Sequence, residues 1–175
     1  MGGFMRRFFG STDEEPPPVP TTKSPRYPEP DDWDRRFIGL AMHISDWSKD
    51  PSTKVGCVIV GPDREIVSTG YNGFPRGASD SPSLYADREH KLRLICHAEE
   101  NAVAHAARIG VSLLGTTAYI TWPPCPRCAR SLIQAGVRRV VHREVEIPER
   151  WLADMVASED LLRQVGVEIV PVSDG

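Results

Sequence analysis

The chain has 175 residues, of which 40% are hydrophobic, and a formal net charge of −3. A chain of this length can form one domain of ordinary size with a buried core. The 21 basic and 24 acidic residues are nearly balanced and form no basic block, which argues against a large nucleic acid partner and permits a small anionic ligand. No stretch approaches the ~18 apolar residues of a membrane span, so no membrane association is expected.

The cysteines indicate a reducing compartment. There are four of them, too few and too unevenly spaced for a disulfide framework: Cys57, Cys96, Cys125 and Cys128. The first residues of the chain lack the apolar core of a signal peptide. We therefore expect a cytoplasmic protein.

Proline dominates the beginning of the chain. Residues 1–30 hold seven of the 16 prolines, interleaved with Ser, Thr, Glu and Asp. Such a segment buries too little apolar surface to offset the entropy lost on ordering. We predict a disordered tail over 1–30 and a folded domain over 31–175. Alternatively, Phe4, Phe8 and Phe9 form a peptide that docks on a partner or a neighbouring subunit.

The folded domain is predicted to open with a helix. Asp31 or Asp32 can cap it, and apolar residues then recur at steps of three and four. The predicted core-facing residues are Phe37, Leu40, Ala41, Ile44 and Trp47.

A hairpin should follow this helix. The β-branched run at 55–60 and the run that ends at Gly73 are joined by a tight turn containing Gly, Pro and Asp. Cys57 lies in the first run, where an inert buried thiol is expected.

Residues 74–96 are irregular and highly charged. A segment of this length behaves as an insertion, and insertions at the rim of a site often select the substrate. The alternative is an ordinary surface loop with a short helix near 87–93.

The second half of the chain alternates helices and strands. This order after a hairpin predicts a three-layer α/β/α sandwich with a mixed central sheet of about five strands. The predicted elements are a helix from Ala98 to Gly110, a strand at 116–121, a helix from Cys125, a strand at 138–142, a helix from Pro148 and a strand at 167–170.

Two short motifs suggest a catalytic metal site. His97-x-Glu99 stands at the predicted start of one helix, and Pro124-Cys125-x-x-Cys128 stands at the start of the next. One imidazole and two thiolates can bind zinc and leave the fourth tetrahedral position open for water. A glutamate two residues from the histidine can then move protons. The alternatives are a closed zinc site with a fourth protein ligand, such as Cys96 or Cys57, or no metal at all.

These motifs together form the known signature of zinc-dependent nucleobase deaminases. In that chemistry a zinc-bound hydroxide attacks an amidine carbon such as C4 of cytosine. Glu99 would pass the water's proton to N3 and later protonate the departing amine.

Residues 33–171 resemble the deoxycytidylate (dCMP) deaminases. The resemblance rests on the stretches DPSTKVGCVIV, STGYNGFPRG, CHAEENAV and PPCPRCARSLIQAGV. It implies a cytidine deaminase-like fold, hydrolysis of dCMP to dUMP, a homo-oligomer that is commonly a hexamer, and regulation by dCTP and dTTP. It also implies zinc bound by His97, Cys125 and Cys128, with Glu99 as the proton shuttle.

The resemblance and the charges suggest substrate contacts. Asn72 falls where the wider superfamily places an asparagine near the sugar, in a segment that is also close to the regulatory nucleotide site of dCMP deaminases. A monophosphate needs a nearby cation, and Lys54, Arg76 and Arg127 each flank a motif. Arg127 stands where family members often have a small, polar or acidic residue, so it could contact phosphate or another subunit.

Other activities are also compatible with the motifs. One alternative is a deaminase of cytidine, deoxycytidine or 5-modified dCMP, although nucleoside deaminases more often have Cys in place of His97 and lack the insertion. A tRNA adenosine deaminase shares both motifs but usually has a more basic surface. A nucleotide-binding homologue without turnover is a further alternative.

Overall fold

The computed structural model describes residues 27–173, which form six helices and five strands. None of these helices is both long and apolar enough to cross a membrane. In chain order the elements are α1 (Asp32–Ser45), β1 (Gly56–Val60), β2 (Ile66–Tyr71), α2 (Pro82–Ala86), α3 (Arg88–Leu94), α4 (Ala98–Ile109), β3 (Thr117–Ile120), α5 (Pro126–Ala135), β4 (Arg139–Arg143), α6 (Glu149–Gln164) and β5 (Glu168–Val172).

The five strands form one mixed sheet in the order β2-β1-β3-β4-β5. Strand β1 pairs antiparallel with both β2 and β3, while the β3–β4 and β4–β5 pairs are parallel. The predicted hairpin is therefore confirmed as β1–β2. Each parallel pair is connected through a helix, as such pairs require.

Helices cover both faces of the sheet, which confirms the predicted three layers. Strand β1 is buried on both faces, and its side chains alternate between them. Cys57 and Ile59 join the core beneath α4, α5 and α6. Val58 and Val60 join the core beneath α1. As predicted, Cys57 is a fully buried thiol, and burial raises its pKa well above the usual value.

Helix α1 begins with a capping box. The Asp31 carboxylate accepts from the Asp34 amide at 2.8 Å, and the Asp34 carboxylate accepts from the Asp31 amide at 3.0 Å. The predicted apolar face is buried except at Leu40, which is half-buried against the core, and at its end. Trp47 is 53% exposed because the helix ends at Ser45, two residues before it, so its prediction as a core residue was wrong.

The described residues include little of the predicted tail. Residues 1–26 lie outside the described range, so the tail and its docking peptide stay predictions. Tyr27 packs beside α6, where its hydroxyl donates to Glu159 Oε1 at 2.7 Å and the Arg163 guanidinium lies over its ring.

The insertion at 74–96 contains two short helices. The helix predicted near 87–93 is confirmed as α3, whereas α2 was not predicted. Gly73 and Cys96, at the two ends of the insertion, are joined by an antiparallel bridge, so the segment leaves and rejoins the domain at one place.

Helix α4 packs directly on β2 at Gly70. A Cβ atom at this glycine would overlap the carbonyl oxygen of Ala98 and the backbone nitrogen of Ala102. The close approach fixes the first turns of α4 against the sheet. Any side chain at position 70 would push that end of the helix outward.

We expect Gly70→Ala to destabilise the domain by about 1–3 kcal/mol, the usual cost of overpacking. Urea unfolding monitored by circular dichroism measures this change. Gly39→Ala is the matched control, because a Cβ at this α1 position meets nothing within 4 Å. It should stabilise the domain by about 0.5–1 kcal/mol through helix propensity. Equal effects of the two substitutions would contradict the packing argument.

Candidate active site

One end of the sheet brings together the segments that carry the predicted motifs. Because β1 runs antiparallel to β3, its first residue lies beside the residue that follows β3. Gly56 N donates to Thr121 Oγ1 at 3.0 Å, and Thr121 N donates to the Gly56 carbonyl at 3.1 Å. The Gly73–Cys96 bridge closes the same end. Helices α4 and α5 both begin here.

The three predicted metal ligands converge at these helix starts. His97 is the N-cap of α4, Cys125 is the N-cap of α5, and Cys128 lies in the first turn of α5. His97 Nδ1 lies 3.5 Å from Cys125 Sγ and 3.4 Å from Cys128 Sγ. All candidate ligand atoms of the three residues lie within 4.8 Å of one another.

The spacing of these atoms fits a tetrahedral zinc ion. With Zn–N and Zn–S bonds of about 2.0 and 2.3 Å, the nitrogen and each sulfur should be about 3.5 Å apart. Among residues 27–173, the ligand cluster contains three side chains and no fourth. Cys57 and Cys96, considered above as closing ligands, are not part of it. The donor set is that of an open, catalytic zinc site.

The two thiols can readily provide a thiolate. Hydrogen bonds from Cys128 and His97 lower the pKa of Cys125 to about 3, although burial opposes ionisation. Cys128 is the donor in this pair, so its pKa is raised. The N-terminus of α5 adds the positive end of a helix dipole. A metal cation bound between the two sulfur atoms would further stabilise their thiolate forms.

Glu99 is buried beside the ligands. It lies in the first turn of α4, and 4% of its surface is exposed. Burial raises its pKa to about 7, against the lowering effects of its own backbone amide and of His97. A carboxyl group with this pKa can both accept and donate a proton near neutral pH.

Arg127 links the two ligand-bearing helix starts. Its Nη2 donates to Glu100 Oε2 at 2.9 Å, and the same oxygen accepts from the His97 backbone amide at 2.9 Å. The Arg127 side chain is 43% exposed. The capping pattern with Glu three residues after His97 could have identified Glu100 from the sequence.

Asn72, the predicted sugar contact, uses its side chain to hold the turn at 50–55. Its Oδ1 accepts from Val55 N at 2.8 Å, and its Nδ2 donates to the Thr53 carbonyl at 2.8 Å. The side chain is buried. A direct substrate contact by Asn72 stays a prediction.

The other two predicted cations are exposed. Lys54 lies on the turn at 50–55, and its Nζ donates to the Asp46 carbonyl at 3.2 Å. Arg76 lies at the beginning of the insertion. The structure brings neither into the ligand cluster, so their roles as phosphate contacts stay predictions.

Sequence reasoning missed the buried polar residues that join the turn at 50–55 to the insertion. Asp50, Ser52 and Lys91 form a hydrogen-bonded cluster that joins the turn at 50–55 to α3. Asp50 followed by Pro51 and Ser52 is typical of a turn stabilised by its own side chain. No sequence signal identifies Lys91, because it lies in a run of charged residues and its partner is 41 positions away.

The chain matches a known protein family over most of the described domain. Residues 31–144 match the cytidine and deoxycytidylate deaminase zinc-binding region. An uncharacterized deaminase in the luxG 3' region of Aliivibrio fischeri is 42% identical over 139 residues, covering 78% of this chain and 91% of that protein. A probable deoxycytidylate deaminase of Drosophila melanogaster is 37% identical over 146 residues, covering 78% of this chain and 70% of that protein.

A solved structure shows the same fold. The dCMP deaminase of cyanophage S-TIM5, in complex with dCMP and dUMP, is 27% identical, with a TM-score of 0.65 over 80% of this chain and 96% of that chain. The family match covers all four residues of the candidate site, and the three ligands have the spacing that zinc requires. This chain therefore belongs to the deoxycytidylate deaminase family of zinc-dependent deaminases.

Proposed function

We propose that this protein hydrolyses dCMP to dUMP and ammonia. The observation that carries the proposal is the buried Glu99 carboxyl beside a cluster of one imidazole and two thiols. That arrangement suits attack of water on an amidine carbon. The choice of dCMP is supported by the named activities of the Drosophila and cyanophage relatives and by the dCMP and dUMP in the cyanophage complex.

His97, Cys125 and Cys128 would hold the zinc ion. When bound by such ligands, zinc lowers the pKa of water from about 15.7 towards about 7 and so supplies a nucleophile at neutral pH. These three residues lie at the starts of two helices that pack on the sheet, so the fold brings their donor atoms together.

Glu99 would move two protons in the reaction. It takes one proton from the attacking water as the water oxygen bonds to C4 of the cytosine ring, and passes this proton to N3. It then moves the remaining hydroxyl proton to N4, the C4–N4 bond breaks, and ammonia leaves. One water is consumed, and the product is uracil with a carbonyl at C4.

The other properties implied by the resemblance are kept as parts of the proposal. They are a homo-oligomer, with a hexamer favoured, activation by dCTP, inhibition by dTTP, and a cytoplasmic location. The balanced composition of the chain is compatible with a small nucleotide as the ligand.

A substrate panel tests the proposed function. We expect ammonia release from dCMP to exceed release from deoxycytidine, cytidine and 5-methyl-dCMP, with none from tRNA. A coupled glutamate dehydrogenase assay of released ammonia, or chromatography of each deaminated product, measures the rates. Each rate is measured with and without dCTP and dTTP. A preference for tRNA or for a free nucleoside would contradict the proposal. So would bound zinc with no turnover of any cytosine nucleotide.

The role of Glu99 predicts a specific loss. Glu99→Gln should reduce kcat by about 10²–10⁴-fold, because the amide cannot accept the water's proton, while one zinc per chain is retained. Steady-state kinetics and metal analysis measure the two quantities. Glu100→Gln is the neighbouring control: its amide oxygen can still accept from the His97 backbone amide, so zinc content and kcat should stay close to those of the wild type. Comparable kcat for Glu99→Gln and the wild type would remove Glu99 from this role.

The phosphate contact can be identified from the three candidate cations. Replacing the true ligand among Lys54, Arg76 and Arg127 by Met should raise KM for dCMP about 10- to 100-fold and leave deoxycytidine turnover nearly unchanged. Arg108→Met is the control, because Arg108 lies in the last turn of α4, at the end opposite the ligands. Equal losses on both substrates would reject the candidate tested.

A further inference from the structure

Helix α3 attaches to the domain through a charge rather than through an apolar face. Of its seven residues, all within the described part of the chain, Lys91 is the buried one, with 8% of its surface exposed. Leu92 and Leu94 are instead 41% and 48% exposed. A buried lysine is costly unless it is paired and fully hydrogen-bonded.

Lys91 meets that requirement. Its Nζ donates to Asp50 Oδ1 at 3.1 Å, to Asp50 Oδ2 at 3.0 Å and to Ser52 Oγ at 2.6 Å. The three protons of the ammonium group thus match three acceptors. Because the ammonium group is buried and already paired within the chain, we assign Lys91 a positioning role rather than that of a substrate ligand.

The Asp50 carboxylate organises the turn on the other side of the pair. Its Oδ1 accepts from Ser52 N at 2.9 Å and from Thr53 N at 3.3 Å. Its Oδ2 lies 3.5 Å from Nδ2 of the Asn72 side chain. Burial opposes ionisation, but hydrogen bonds from Ser52 and Lys91 outweigh it and lower the pKa of Asp50. The turn is therefore held around a charged carboxylate.

This cluster joins two segments that lead along the chain into the candidate active site. The turn leads into Gly56, which is hydrogen-bonded to Thr121, four residues before Cys125. On the other side, α3 ends at Leu94, three residues before His97. His97 is nevertheless held separately, by the Gly73–Cys96 bridge and by Glu100. Loss of Lys91 should therefore move the two joined segments and spare the metal ligands.

We propose that the buried Lys91–Asp50 ion pair locks the insertion onto the turn at 50–55 and so positions both as a rigid rim that binds the nucleotide substrate. This inference rests on the proposed function. In this proposal the insertion is a rigid part of the substrate-binding surface. Lys91 and Asp50 then affect substrate binding rather than the chemical step.

The test compares two lysines whose ion pairs both involve the insertion: Lys91 pairs with the turn at 50–55, and Lys49 lies directly before that turn. Lys49 Nζ also bonds to the insertion, at Asp80 Oδ2 (2.8 Å), but its side chain is 65% exposed. We expect Lys91→Met to raise KM for dCMP by about tenfold or more, with kcat within about threefold and zinc content unchanged. Lys49→Met should leave KM unchanged, because exposed pairs contribute little.

A double variant distinguishes the loss of the ion pair from misfolding caused by an unpaired buried charge. Lys91→Met alone leaves Asp50 buried without its cation, so Lys91→Met/Asp50→Asn removes both charges together. The double variant should fold and show the same rise in KM. Normal KM in a folded double variant, or a fall in kcat or zinc content without a rise in KM, would overturn the proposal.

Hydrogen exchange measured by mass spectrometry separates this inference from the proposed function. In Lys91→Met or the double variant, amides at 50–55 and 88–94 should exchange about tenfold faster or more, whereas Lys49→Met should match the wild type. Unchanged exchange would overturn the locking role. If the wild type turned over no dCMP, the proposed function would fail, whereas the exchange data would still decide whether Lys91 locks the rim.

Discussion

The candidate site depends on two helices that begin at the same end of the sheet. His97 caps α4 and Cys125 caps α5, and between them the chain forms β3 in the centre of the sheet. The contact of α4 with β2 at Gly70 sets where the first helix begins. Because each ligand lies at a helix start, the positions of the donor atoms follow from the packing of the sheet. The packing of the helices on the sheet therefore determines where the three candidate metal ligands lie.

The parts of this arrangement that follow from local chemistry could be predicted from the sequence. The β-branched run at 55–60 identified β1, and Gly110 identified where α4 stops. The spacing of His97, Cys125 and Cys128 identified the cluster, because zinc accepts few ligand sets. Trp47 was misplaced because the apolar spacing continued past the end of α1, and spacing alone does not show where a helix ends.

Contacts between distant polar residues could not be predicted in this way. The family resemblance placed Asn72 near the sugar of the substrate, but it did not indicate that the Asn72 side chain hydrogen-bonds the turn at 50–55. Lys91 lies in a run of charged residues, yet its side chain is buried against Asp50. Both outcomes depend on which segments meet in three dimensions. Composition and periodicity describe only the segment in which a residue lies.

The proposed function divides the chemistry and the selectivity of the site between different parts of the chain. Three metal ligands and a buried Glu99 suit hydrolysis of amidines in general. These four residues provide no means of recognising a sugar or a phosphate. Under the proposed function, discrimination among cytosine compounds would come from the surrounding residues, which include the turn at 50–55, the insertion at 74–96 and Arg127. A rim selects well when it is rigid, because a flexible one must lose entropy on binding. In our proposal this rigidity comes from the buried Lys91–Asp50 pair, which acts beside the two buried apolar residues of the insertion, Tyr85 and Ile95.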